Sequence, residues 1–221
     1  MLNILSQHDQ IVTGSTSPLC AALAAMLHSI STTEETKAWL IDDREGTEKR
    51  IAQAAKGVIN GWYHNAAGHV FDKSRGWSFN MRPLQYLSEK SFAVVMVRDP
   101  RSVVASIMEQ DDKFPALDQS PDVLAKTAVS KAEQLMNDAG MIGTAILGVE
   151  DLLRRNDRSA EFVRYEDFVR WPEKVMDALM ERLHLEKFDF DFENVENHSN
   201  DVDGLYLNIY THEGTCEVTT D

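Results

Sequence analysis

Residues 91–110 read SFAVVMVRDPRSVVASIMEQ, and their reading decides the fold. Within 91–97, the residues after Ser91 form an unbroken apolar run, rich in β-branched side chains. A run of this kind predicts a central parallel strand buried on both faces, because a half-exposed strand would alternate apolar with polar residues. The run ends at Asp99, which can cap a helix, and at Pro100, whose fixed φ suits a first helical position. A helix is expected to follow through Arg101–Gln110, giving the strand-to-helix unit of a parallel α/β sheet.

Two other segments have the same form. GHVFDK (68–73) reads as a short buried strand leading into the loop SRGW, and SAEFVRY (159–165) as a strand before a helix interrupted near Pro172. Helices are expected over 2–8, from Pro18 with Ser17 as cap, over 46–65, from Arg82 beside Pro83, over 121–139 and over 143–155. Residues 31–37 read as a polar link. From Phe188 to Asp221 the text is Asp/Asn-rich and weakly patterned, an irregular C-terminal segment of a single domain spanning 1–221.

The composition suits that domain. Of 221 residues, 43% are apolar and 26% charged, and no apolar stretch is long enough to span a bilayer. A net charge of −14 excludes a basic nucleic-acid-binding face, though a few clustered cations can still make an anion pocket. Cys20 and Cys216 have no paired spacing, and no two of the seven His stand at i, i+4, so neither a disulfide framework nor a metal site is expected. The reading is a cytoplasmic protein with no membrane or nucleic-acid partner.

In parallel α/β sheets ligands gather beyond the carboxyl ends of the strands. Here three strands leave into polar or cationic text: FDKSRGW, VRDPRSVVAS and VRYED. Arg98 ends one strand, and Ser106 lies about two turns into the next helix. A guanidinium and a hydroxyl so placed can grip a phosphate. The plainer alternative pairs Arg98 with Asp99 or a nearby carboxylate and leaves Ser106 to packing.

VRDPRSVVAS resembles the 3′-phosphate-binding segment of sulfotransferases that use 3′-phosphoadenosine 5′-phosphosulfate (PAPS). FVRYEDFVRWPEK resembles that family's later strand-and-helix segment, and FDKSRGW the strand end carrying a lysine near the transferred sulfonate. SRGW and DFENVENHSND are similar to segments of a bacterial and phage branch, and the resemblance runs from about Met1 to Gly204. It implies a three-layer, helix-rich, P-loop-NTPase-like parallel sheet. It also implies Arg98, Ser106 and Tyr165 at the nucleotide and Lys73 at the sulfonate. PAPS would be the co-substrate, adenosine 3′,5′-bisphosphate the product, and a small molecule, glycan or peptide the acceptor. Glu34, Glu35, His64 and His69 are open alternatives for the base, and Trp62 or Trp77 for stacking.

The family's 5′-phosphosulfate loop lies between its first strand and first helix. GSTSP (14–18) is the nearest match, but it holds no cation, and Pro18 removes a backbone donor where the loop needs one. The expectation is that this loop and its strand are missing and that LNILSQHDQ is the helix after them. Residues 13–18 are then an irregular link between two helices, and a buried strand keeps an open edge to be covered by a partner chain such as a second copy, a rearranged segment or a loop. Two functions follow: sulfonate transfer from PAPS, or an impaired sulfotransferase-like remnant that binds a nucleotide or a protein. A P-loop kinase is disfavoured, because no G-x-x-x-x-G-K-S/T string occurs.

Overall fold

The run at 91–97 forms strand β3 (Ala93–Val97) in a computed structural model that describes residues 1–88, 90–113, 127–155 and 158–196. β3 pairs in parallel with β4 (Ala160–Arg164) in unbroken register, from Ala93 opposite Ala160 to Val97 opposite Arg164. A second parallel pair joins β1 (Ile11–Thr16) and β2 (His69–Lys73), with a bulge between Thr13 and Thr16. Among the described residues no backbone hydrogen bond joins the two pairs, so β2 and β3 each have a partner on one side.

Helices fill the spaces between strands: α1 (Leu2–Leu5), α2 (Leu19–Thr32), α3 (Glu34–Asp42), α4 (Arg44–Trp62) and α5 (Trp77–Leu87). α6 (Pro100–Lys113), α7 (Ala128–Met136), α8 (Met141–Arg154), α9 (Tyr165–Arg170) and α10 (Pro172–Arg182) complete them. Because side chains alternate along a strand, β3·β4 packs on two faces. Val94 and Val163 meet Ile4 and Leu5 of α1 and Met176, Leu179 and Met180 of α10. Ala93, Val95, Ala160 and Phe162 meet Met81 of α5 and Leu152 of α8. Ile11 of β1 and Phe71 of β2 join the first of these clusters, so both strand pairs share one core. α2, α4 and α5 enclose another through Leu19, Leu23, Ala55 and Leu87.

Several expectations need correction. Residues 13–18 are not a link between helices: 11–16 form β1, and only Ser17 and Pro18 precede α2. Backbone pairing with β2 carries this strand from the apolar Ile11 and Val12 on through the polar text of 13–16. α3 occupies part of the expected polar link, nucleated by Thr33, whose hydroxyl accepts from Thr36 N–H at 3.2 Å. α5 begins at Trp77 rather than Arg82 and contains Pro83. Pro83 lacks the one N–H that would bond the Phe79 carbonyl.

β2 is more exposed than expected, and β3 is only partly buried, with Met96 40% exposed. α7 is described from Ala128, so the expected helix at 121–126 lies outside the described residues, as do Cys216, His198–Asp201 and the rest of 197–221.

Residues 188–196 have no helix or strand yet are held. Phe188, Phe190 and Phe192 stack in series with His8, and the Gln7 side-chain amide bonds Asp191 N–H and C=O, both at 2.8 Å. Close approach explains Gly148, where a Cβ would fall 2.2 Å from Ser78 Oγ of α5. Gly68 enters β2 at φ +123°, a conformation that favours glycine. No helix among the described residues is long and apolar enough to cross a membrane.

Candidate functional site

The register of β3 and β4 sets the geometry at their exit. Val97 lies opposite Arg164, so the next residues, Arg98 and Tyr165, leave side by side. The Arg98 guanidinium carbon stands 4.3 Å from the centre of the Tyr165 ring, a cation–π stack at an exposed position. Asp99 does not pair with Arg98. Its carboxylate accepts from Arg101, at 2.6 Å from Nη2 and 2.9 Å from the backbone N–H. These Arg101 bonds hold the Asp99 carboxyl down at about 2, side-chain bonds first and the backbone bond next. Arg98 thus keeps its planar donor fork uncommitted to any carboxylate among the described residues.

Ser106 is exposed on α6 and makes no hydrogen bond with Arg98. The structure therefore brings Arg98 and Tyr165 into contact and leaves Ser106 on the helix that follows Arg98.

Lys73 belongs to the other strand pair. It ends β2, exposed, and has no carboxylate partner among the described residues. The buried Met1 amino group beside it is lowered to about 6, by burial first and by the Lys73 charge second. Lys73 does not pair with its neighbour Asp72, because strand alternation sends the two side chains opposite ways. Asp72 points inward. The Tyr63 hydroxyl donates to its Oδ2, and Trp77 Nε1 donates to its Oδ1 at 2.6 Å. Burial first, then this hydrogen bond to Asp72, pushes the Tyr63 hydroxyl well above its ordinary range.

Asp72 thereby ties the end of α4, the end of β2 and the start of α5 together. Sequence reading missed this triad, although Asp one place before a strand-end Lys, with Trp five residues on, was a visible signal.

The GSTSP segment leads from β1 into α2, the strand-to-helix setting of a phosphate loop, but the donors nearest the helix are taken. Ser17 N–H donates to the Lys73 carbonyl at 3.0 Å, and Leu19 N–H donates to Ser17 Oγ at 3.0 Å. No cation stands within it. Glu34 pairs with Lys37, His64 bonds the nearby Gly61 carbonyl, and Glu35 and His69 are exposed, so none of the open choices for a base is singled out. Trp77 is committed to Asp72, whereas Trp62 is 49% exposed. Cys20 is buried, which raises its thiol pKa, so it is not poised as a nucleophile.

No protein-family model matches the chain, and no curated protein matches it. Among solved structures it is similar to a sulfotransferase domain from the curacin biosynthetic pathway, with a TM-score of 0.58 and 15% identity over 99% of this chain and 82% of that one. At that identity the likeness speaks for architecture. The helix-rich chain with its parallel strand pairs has a sulfotransferase-like α/β fold.

Proposed function

We propose that the protein binds a 3′-phosphorylated adenine nucleotide at the β3·β4 exit and is a sulfotransferase that moves a sulfonate from PAPS to a hydroxyl or amine. The observation that carries this reading is Arg98, stacked on Tyr165 and free of Asp99, at the carboxyl end of a parallel pair. Its fork suits two oxygens of one phosphate, and Ser106 on α6 supplies a neutral donor. Lys73, without a carboxylate partner among the described residues, is the cation for the sulfonate oxygens. In the transfer, an acceptor oxygen or nitrogen bonds to sulfur while the bond from sulfur to the bridging phosphate oxygen breaks. The acceptor proton leaves to a base or to water, and adenosine 3′,5′-bisphosphate departs.

A second reading has its own support. The Ser17 and Leu19 N–H groups are already bonded, Pro18 has none to offer, and residues 14–18 hold no cation for a phosphosulfate cradle. That favours a nucleotide-binding protein with little turnover.

Calorimetric titration with adenosine 3′,5′-bisphosphate and with adenosine 5′-monophosphate tests the site. Arg98→Ala is expected to weaken the first by about 10–100-fold and to spare the second, the scale of a charge-assisted bond. Equal losses for both nucleotides make Arg98 structural. Transfer of labelled sulfonate from PAPS then separates the enzyme from the binding module.

A further inference from the structure

α2, α3 and α4 enclose a cleft of about 170 Å³ that the strand-exit site does not use. It is lined by Ile30 of α2, Thr36 and Trp39 of α3, and Thr47, Arg50 and Ile51 of α4. Three observations make it more than a packing defect. Thr47 is 2% exposed, and its Oγ1 is the one buried side-chain oxygen or nitrogen among the described residues without a hydrogen-bond partner. A buried hydroxyl without a partner is disfavoured and is the kind of group a ligand satisfies.

Trp39 is 56% exposed beside this cleft, an indole with most of its surface open to water. The Arg50 guanidinium sits 5.6 Å above the Trp39 ring centre and has no carboxylate partner among the described residues. The acids nearby on α4 are already engaged, Glu45 with Lys49 and Glu48 with Arg44. In a chain of net charge −14, an arginine that meets an indole instead of a carboxylate has a free anion-binding fork.

We propose that this cleft binds a small hydroxylated aromatic carboxylate. The volume is close to the roughly 150 Å³ cavity that accepts one benzene ring, which sets the size at a single ring. Ile30 and Ile51 supply an apolar wall and Trp39 a ring face. Arg50 takes the carboxylate. Thr47, one helical turn from Arg50 on the same face of α4, takes the ring hydroxyl.

The site is separate from the strand exits. Thr47 lies near one end of α4, and Tyr63, which bonds Asp72, caps the other, about 24 Å away at 1.5 Å per residue.

The test uses 4-hydroxybenzoate and benzoate, followed by the indole N–H signals in two-dimensional NMR, with Trp39→Phe to assign the Trp39 signal. The expected result is a saturable shift of the Trp39 signal below about 10 mM ligand, with the Trp77 and Trp171 signals unmoved. Arg50→Gln should weaken both ligands at least about tenfold. Thr47→Val should remove the preference for 4-hydroxybenzoate over benzoate while raising the melting temperature of the free protein, because it deletes an unpartnered hydroxyl. The proposal is overturned if the Trp39 signal does not saturate, if all indoles shift together, if Arg50→Gln binds as well as the parent, or if the parent shows no preference between the ligands.

Discussion

The two strand pairs are built on opposite plans. β3·β4 is held by side chains: its register is unbroken and apolar residues pack on both of its faces. β1·β2 is held more by polar bonds. It carries a bulge and spells IVTGST against HVFDK, and its exit is knotted by Ser17, Asp72, Tyr63 and Trp77. The difference extends to the exits. The β3·β4 exit leaves its arginine loosely held on a ring, whereas the β1·β2 exit spends its carboxylate and the Ser17 and Leu19 donors on structure and leaves Lys73 without a carboxylate partner among the described residues. A pair that packing secures on both faces can present its polar groups to a ligand; a pair that reaches the core through fewer apolar residues, Ile11 and Phe71, uses them on itself.

The largest expected effect breaks the packed pair. Leu152 of α8 is fully buried against the Ala93, Val95 and Phe162 face. Leu152→Ala should cost about 3 kcal/mol, transfer plus residual cavity. Urea unfolding should show a lower midpoint at unchanged slope, and a loss below about 1 kcal/mol would mean that this face is loosely packed.

The bonded pair fails differently. Asp72→Ala leaves the Tyr63 hydroxyl and Trp77 Nε1 without their acceptor and should cost about 2 kcal/mol. Asp72→Asn keeps one acceptor oxygen and should cost less, while bringing the Tyr63 hydroxyl back toward its ordinary titration range. The control is Asp167, whose exposed pairing with Arg164 at 3.8 Å should be worth almost nothing, so Asp167→Asn is expected to be silent in the same urea experiment. Equal losses at Asp72 and Asp167 would erase the distinction between the two exits.

The same contrast explains what was legible in the sequence. β3, β4, the helix opened by Pro100 and the break before Pro172 announce themselves through apolar runs and proline, because packing and local backbone chemistry make them. β1 was not legible. Thr13, Gly14, Ser15 and Thr16 carry no strand pattern, and they are extended because β2 pairs with them, a long-range cause that no local window contains.

At the site, the cationic exits were readable, and Arg98 and Tyr165 do meet. That Asp99 turns to Arg101, and Asp72 to Tyr63 and Trp77, depends on side-chain directions fixed only when strands and helices are assembled.

The smallest expected effect probes whether Arg98 is truly independent of Asp99. The Asp99 carboxyl is held at about 2, below its ordinary 3.8, by Arg101. A lowered folded-state value means that the pair's small stabilisation is present above about pH 4 and is lost as pH falls through about 2. The pair is exposed, so its contribution to stability is slight, and the titration itself is the sensitive readout. Arg101→Ala should raise the Asp99 midpoint toward 3.8, though not fully, since the backbone N–H at 101 still donates at 2.9 Å. Binding of adenosine 3′,5′-bisphosphate should stay unchanged. If Arg98 instead swings onto Asp99, the midpoint stays near 2 and nucleotide binding falls, because the fork would then be occupied. Carboxyl-detected NMR titration of Asp99 in both proteins, alongside calorimetry, separates the two outcomes. The first result keeps Arg98 as an anion-binding group held on Tyr165; the second makes Arg101 the residue that keeps it off Asp99.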